Sequence, residues 1–227
     1  MRNDYIHITL VIDESGSMTA SKSNVIDGVQ KIIDEQKKNN NGKCSISLYT
    51  FNDNVKEEFV GIDVNDLPKF EYNPNSLTAM NDGIGIAIDK TGKWLSDMNE
   101  EDRPGKVLVA IFTDGFENAS KEYTLDKVKE MISHQETKYS WTFIYLGMDI
   151  TTKETANNLG ISTASYTSKK LQGEHYKLIN CSVNAWRSMA NSNASLGESN
   201  DALYAVINEE ADKNTKIYEK EIGRKIS

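Results

Sequence analysis

Val107-Leu108-Val109-Ala110-Ile111-Phe112 is an unbroken apolar run with no polar residue at alternate positions. It is too short for a core helix and too apolar for a strand with one wet face, so it reads as a strand over Lys106–Thr113 buried on both sides. A strand of that kind needs a layer of helix above and below, which narrows the architecture to a parallel or mostly parallel sheet inside two helical layers.

The rest of the chain supplies those parts. Ile6–Ile12 and Cys44–Phe51 read as further strands, and Val55–Val60 pairs back on the second across Asn52-Asp53-Asn54 as an antiparallel edge hairpin. Trp141–Leu146 repeats the apolar theme, and Thr163–Thr167 reads as a short sixth, parallel strand. Between them, Val25, Ile26, Val29, Ile32 and Ile33 form one helical stripe that stops at Asn39-Asn40-Asn41-Gly42. Met80, Ile84, Ala87, Ile88, Thr91 and Leu95 form a second, and Leu125, Val128, Met131 and Ile132 a third that starts near Tyr123 or Thr124. Lys153–Leu159 predicts a short helix and Gln172–Ala190 a longer one carrying Tyr176, Ile179, Val183, Trp186 and Met189. The expected fold is therefore α/β and doubly wound, Rossmann-like, with about six strands, one of them an antiparallel edge, and helices on both faces.

Asn191 to Asn200 is polar and rich in breakers, and it marks the expected boundary between a domain over 1–190 and a tail over 191–227. Leu203, Ile207, Ala211 and Ile217 give that charged tail only a thin stripe, short of the sustained heptads of a coiled coil. The chain of 227 residues carries a net charge of −8, and its Lys and Arg are scattered, which argues against a nucleic-acid surface. No segment approaches the roughly 18 apolar residues of a membrane span. The run Tyr5–Ile12 is interrupted by His7 and Thr9, unlike a signal peptide. With Cys44 and Cys181 far apart and read as thiols, the expected location is the cytoplasm. His7, His134 and His175 lack zinc-ligand spacing, and Trp94, Trp141 and Trp186 fall on a strand or apolar stripes, as core residues do.

Three oxygen-rich segments fall where strands or loops meet helices. Asp13-Glu14-Ser15-Gly16-Ser17 follows the first strand, offering one anionic and two small neutral oxygens in a turn that Gly16 lets close tightly. Alone it is either a cation site or a plain strand-ending turn. Thr113-Asp114-Gly115 ends the apolar strand, and a central position for that strand would set Asp114 beside Asp13. Ser76-Leu77-Thr78-Ala79-Met80-Asn81-Asp82 opens the second helix, bringing the Thr78 hydroxyl. Asp82 either caps that helix or stabilises its dipole, or supports a ligand from behind. Glu14 faces solvent in this reading, and Glu117 and Asn118 belong to a surface loop or to the rim of the site.

In order, spacing and strand context these three motifs resemble the metal-ion-dependent adhesion site of von Willebrand factor type A domains, also called integrin I-like domains. The resemblance spans roughly residues 4–190 and includes intracellular prokaryotic and phage members. It implies that the hydroxyls of Ser15, Ser17 and Thr78 coordinate Mg²⁺, with Mn²⁺ or Ca²⁺ as alternatives. It implies also that Asp13 and Asp114 bind the ion directly or through water, and that a sixth position awaits an Asp or Glu of a protein partner. One departure stands out: the family usually has glycine before the threonine, where this chain has Ser76-Leu77.

Enzyme readings find less support. A haloacid-dehalogenase-type phosphatase needs a second carboxylate two residues after the first, where Ser15 stands. Gly92-Lys93-Trp94 lacks the rest of a phosphate-cradling loop, and there is no Gly-x-Ser-x-Gly elbow. The expectation is a non-catalytic, metal-dependent protein-binding module. The alternatives are a structural or assembly protein with a vestigial metal site, and a Mg²⁺-dependent hydrolase.

Overall fold

The apolar run forms the middle of β4 (Pro104–Phe112), which pairs in parallel with β1 (Arg2–Asp13) on one side and β5 (Thr142–Gly147) on the other. The computed structural model describes residues 1–39, 42–147, 151–162, 164–166 and 173–190, with scattered positions between 205 and 223. β2 (Lys43–Phe51) lies parallel to the far side of β1, and β3 (Val55–Asp63) closes that edge in antiparallel sense. The three-residue β6 (Ala164–Tyr166) pairs in parallel with β5 and completes the order β3-β2-β1-β4-β5-β6. β3 runs past its expected end at Val60 because Gly61, at φ +65°, carries the chain through a register shift that keeps the pairing alive to Asp63.

Alternate residues of the central strands feed two cores. Ile6, Ile8, Leu10 and Ile12 of β1, with Leu108, Ala110 and Phe112 of β4, pack under α1 (Lys22–Lys38) and α5 (Gly173–Ala190). Val11, Val107, Val109 and Ile111 pack on the opposite face under α2 (Met80–Ser96), α3 (Leu125–Tyr139) and α4 (Thr152–Leu159). Both faces of the run are therefore dry, which is why it tolerates no polar residue. Thr124 caps α3 by accepting a hydrogen bond from the Lys127 N–H at 3.2 Å. On the first face, α1 and α5 meet where Gly28 has no side chain; a Cβ there would fall 1.8 Å from the Tyr176 ring.

The α2 face of β1 also holds a polar seam. His7 is fully buried, with Nδ1 2.8 Å from Ser45 Oγ and Nε2 3.0 Å from Ser47 Oγ, and Trp94 lies over its ring at 4.6 Å. Ser45 Oγ continues to the Tyr5 hydroxyl at 2.8 Å, and Ser47 Oγ accepts from the Gly61 N–H at 3.0 Å. Burial alone holds the imidazole neutral, depressing its pKa from 6.5 to about 3. Trp141 is buried as expected, while the Trp186 and His175 side chains lie outside the described residues. Cys44 is buried and Cys181 exposed, and neither forms a disulfide. The expected linker at 191–200 also lies outside the described residues.

The topology decides where a ligand can sit. From β1 the chain moves outward to β2 and β3, then returns to β4 on the other side, so its direction of travel reverses between β1 and β4. The loops leaving the carboxyl ends of those two strands diverge and open a crevice there. Ile12 is in register with Phe112, which puts Asp13 and Thr113 next to each other at its floor.

Candidate metal centre

Asp13 is the last residue of β1 and is fully buried. Its Oδ1 accepts the Ser15 N–H at 2.7 Å and its Oδ2 accepts the Thr113 hydroxyl at 2.6 Å. Burial raises its pKa to about 6, against the opposing pull of the Thr113 and Ser15 hydrogen bonds, with nearby Asp114 adding to the rise. A short 3₁₀ turn over Gly16–Ser21 follows and lays Ser17 back across the crevice. There Ser17 Oγ stands 3.0 Å from Ser15 Oγ and donates to Asp114 Oδ1 at 2.5 Å. Thr78 reaches the same place from the loop before α2: a Cβ built on Gly115 would come 3.1 Å from Thr78 Oγ1 and 3.5 Å from Asp13 Oδ2. The bare backbone of Gly115 is what leaves room between those two oxygens.

The structure thus brings all five sequence-predicted residues, Asp13, Ser15, Ser17, Thr78 and Asp114, to one crevice. Among the described residues no group of three or more His, Cys, Asp or Glu is placed so that it could hold a metal ion. The donor set here is two carboxylates and three hydroxyls, all hard oxygens, which suits Mg²⁺ and related hard cations. Ser17 Oγ links the Ser15 hydroxyl at 3.0 Å to the Asp114 carboxylate at 2.5 Å, so oxygens from two of the three motifs meet at one hydroxyl.

The sequence profile of the von Willebrand factor type A domain matches residues 7–174. The chain belongs to the von Willebrand factor type A family. No curated protein matches it. Solved structures similar in fold include the D319A mutant of the PilB minor pilin from Streptococcus sanguinis, at 11% identity and a TM-score of 0.59 over 84% of this chain and 63% of that one. The vWF domain of the type V pili tip protein Mfa5 from Porphyromonas gingivalis is similar at 9% identity and a TM-score of 0.57, covering 79% and 95%. Proximal thread matrix protein 1 from the mussel byssus, with a zinc-occupied MIDAS motif, is similar at 18% identity and a TM-score of 0.52, covering 78% and 46%. This chain therefore spans less than two thirds of the length of the pilin and about half that of the byssus protein.

Seen as a type A domain, the chain solves its missing glycine in an economical way. Ser76 itself adopts the left-handed conformation, φ +66°, and its carbonyl accepts the Gly16 N–H at 3.1 Å. Thr78 is then fixed from the other side by Asn118, whose Oδ1 accepts the Thr78 N–H at 2.9 Å and whose N–H donates to the Thr78 carbonyl at 3.0 Å. Asn118 is thus a clamp on a site residue. Glu117 is equally committed: its carboxylate accepts the N–H of Asn81 at 2.8 Å and those of Ala119 and Ser120, which ties the loop to the start of α2.

Asp82 stands in the first turn of α2, where a negative charge suits the helix dipole, while its carboxylate bonds to another segment. Its carboxylate accepts the N–H groups of Lys121, Glu122 and Tyr123 at 2.7–2.9 Å and so anchors the chain leading into α3. Glu14 is half-buried, and its carboxylate accepts the Asn73 N–H at the surface, which ties the first loop to a segment 59 residues on. Two positioning residues lie outside the predicted ligand set: Thr113 stands in the Thr113-Asp114-Gly115 motif without being read as a ligand, and Tyr72 had no motif to announce it. Thr113 orients Asp13 as described, and the buried Tyr72 donates its hydroxyl to the Asp13 carbonyl at 2.5 Å, with burial pushing the phenol's pKa up. Tyr72 belongs to an irregular segment that is stitched to the Asp13 loop by a 2.8 Å bond from the Asn75 N–H to the Glu14 carbonyl.

Proposed function

We propose that this type A domain is a divalent-metal-dependent protein-binding module that captures an acidic side chain of a partner. In this reading Asp13, Ser15, Ser17, Thr78 and Asp114 hold Mg²⁺, and an Asp or Glu of the partner completes the shell. The supporting observation is the donor count at the crevice: three hydroxyls and only two carboxylates. Two carboxylates neutralise a divalent ion without reversing its sign, so an incoming carboxylate meets an electrophile instead of a surplus of negative charge. The zinc in the MIDAS motif of the byssus protein supports a divalent ion in such a crevice. Mg²⁺ is favoured here because every donor is oxygen.

The module is non-catalytic in this reading, since both carboxylates, Asp13 and Asp114, are given to the ion and neither is left as a general acid or base. No described helix is long and apolar enough to cross a membrane. The two thiols support placement in the reducing cytoplasm, and the domain is taken to be 1–190 with 191–227 as its tail. Isothermal titration of Mg²⁺ into the full chain tests the site. Saturable binding to wild type that is lost in Asp13→Ala and weakened in the exposed Ser17→Ala is the expected result. No heat with wild type, or equal affinity in all three, overturns it.

A further inference from the structure

Leu77 is 54% exposed and Phe116 62% exposed, and they are two of six large apolar side chains in that state among the described residues. They sit on the two loops that supply Thr78 and Asp114. The backbone on each loop is pinned within two residues. Thr78 is bonded through both its N–H and its carbonyl to Asn118, and Glu117 holds Asn81, Ala119 and Ser120. The same two bonds between Thr78 and Asn118 dock the loops side by side, so Leu77 and Phe116 border one crevice.

Anchored apolar groups beside a binding crevice mark contact surface. Charge narrows the partner further. The chain carries −8 overall, and Glu14, Glu117 and Glu122 outnumber Lys121 on these loops or next to them, so a strongly acidic segment meets net repulsion around the cation. We propose that the partner segment carries a single carboxylate flanked by apolar side chains, which settle on Leu77 and Phe116 while the carboxylate reaches the metal. This inference rests on the metal-dependent capture proposed above and adds the chemistry of the residues beside the acid.

A synthetic peptide array with a central Asp or Glu, flanked by Leu and Phe, by Ser, or by further Asp and Glu, tests it against the full chain in Mg²⁺ and in EDTA. The expected result is Mg²⁺-dependent capture of the apolar-flanked peptides, reduced at least about fivefold by Leu77→Ser and by Phe116→Ser and restored by Phe116→Leu. Equal capture of serine-flanked or acid-flanked peptides overturns the proposal, as does unchanged affinity in both serine variants. Absence of Mg²⁺-dependent capture of every peptide by wild type also overturns it. A Mg²⁺ titration of the same samples shows whether the metal site failed with it or the partner chemistry alone was wrong.

Discussion

Acid sensitivity of this fold should trace to His7. The imidazole is wholly buried between β1 and α2, with both ring nitrogens engaged by Ser45 and Ser47, and no carboxylate is bonded to it. Its folded-state pKa is about 3, against 6.5 for the free side chain. Because the folded value is depressed, the neutral ring favours folding fully above pH 6.5, and that contribution is lost as the pH falls toward 3. Each pH unit across this window removes about 1.4 kcal/mol, so acidifying from neutrality to about pH 4.5 should cost roughly 3 kcal/mol through this one residue. Most domains have only about 5–15 kcal/mol in total, so the loss is large. The assay is urea denaturation of metal-free protein from pH 7 to 4.5, wild type beside His7→Gln. The variant starts less stable, since it breaks the polar seam, but its stability should fall by about 3 kcal/mol less over the window, because the carboxylates common to both proteins cancel. Parallel slopes would refute the reasoning, and so would an NMR titration in which the His7 ring protonates near its free-solution value.

Four other outcomes follow from contacts described above. Gly115→Ala places a methyl group 3.1 Å from Thr78 Oγ1 and should weaken Mg²⁺ binding about tenfold or more with little change in thermal stability; an unchanged titration would count against the crevice as the ion's place. Gly28→Ala should destabilise the fold by about 1–3 kcal/mol in urea, because its methyl lands on the Tyr176 ring, and pairing it with Tyr176→Leu should recover part of the loss. Asn118→Ala strips the acceptor from the Thr78 N–H, so Mg²⁺ affinity should fall along with about 1–2 kcal/mol of stability; calorimetry showing neither would remove Asn118 from the site. Asp82→Asn leaves the Lys121, Glu122 and Tyr123 amides facing a neutral group, and hydrogen exchange over residues 120–124 should speed up, with metal binding retained.

What could be read directly from the residues was whatever repeats. The Val107–Phe112 run implied burial on both faces, and it lies at the centre of the sheet with one core on each side. The helical stripes placed α1, α2 and α3, and the doubly wound α/β order followed from their alternation with strands. The site was legible as three short motifs because each abuts a regular element whose end is marked by a change of pattern. What stayed hidden has no period. Tyr72 lies 59 residues from the Asp13 carbonyl it bonds, and Asn118 is 40 from the Thr78 N–H. Nothing in the spacing of an irregular segment says which distant backbone group its side chains will meet. His7 reads as an ordinary histidine in the sequence, and its role as a buried bridge between two serines depends on the register of β1 against β2. The left-handed Ser76 was illegible for a different reason. Serine has no conformational signature there, and only the loop's closure onto Gly16 imposes one.

The crevice has one property that follows from how far apart its walls lie along the chain. Asp13 meets Thr113 across 100 residues, and Ser17 meets Asp114 across 97. A chain emerging from synthesis has no such site when β1 and α1 are made, nor when the hairpin and α2 are added; it appears only once β4 has slotted in beside β1. An ion held there would act as a completion signal, absent from every shorter intermediate and from any misfolded form in which β4 is misplaced. Partner capture would then be withheld until the central sheet is in order, so a half-built molecule could not occupy an acidic side chain meant for a finished one.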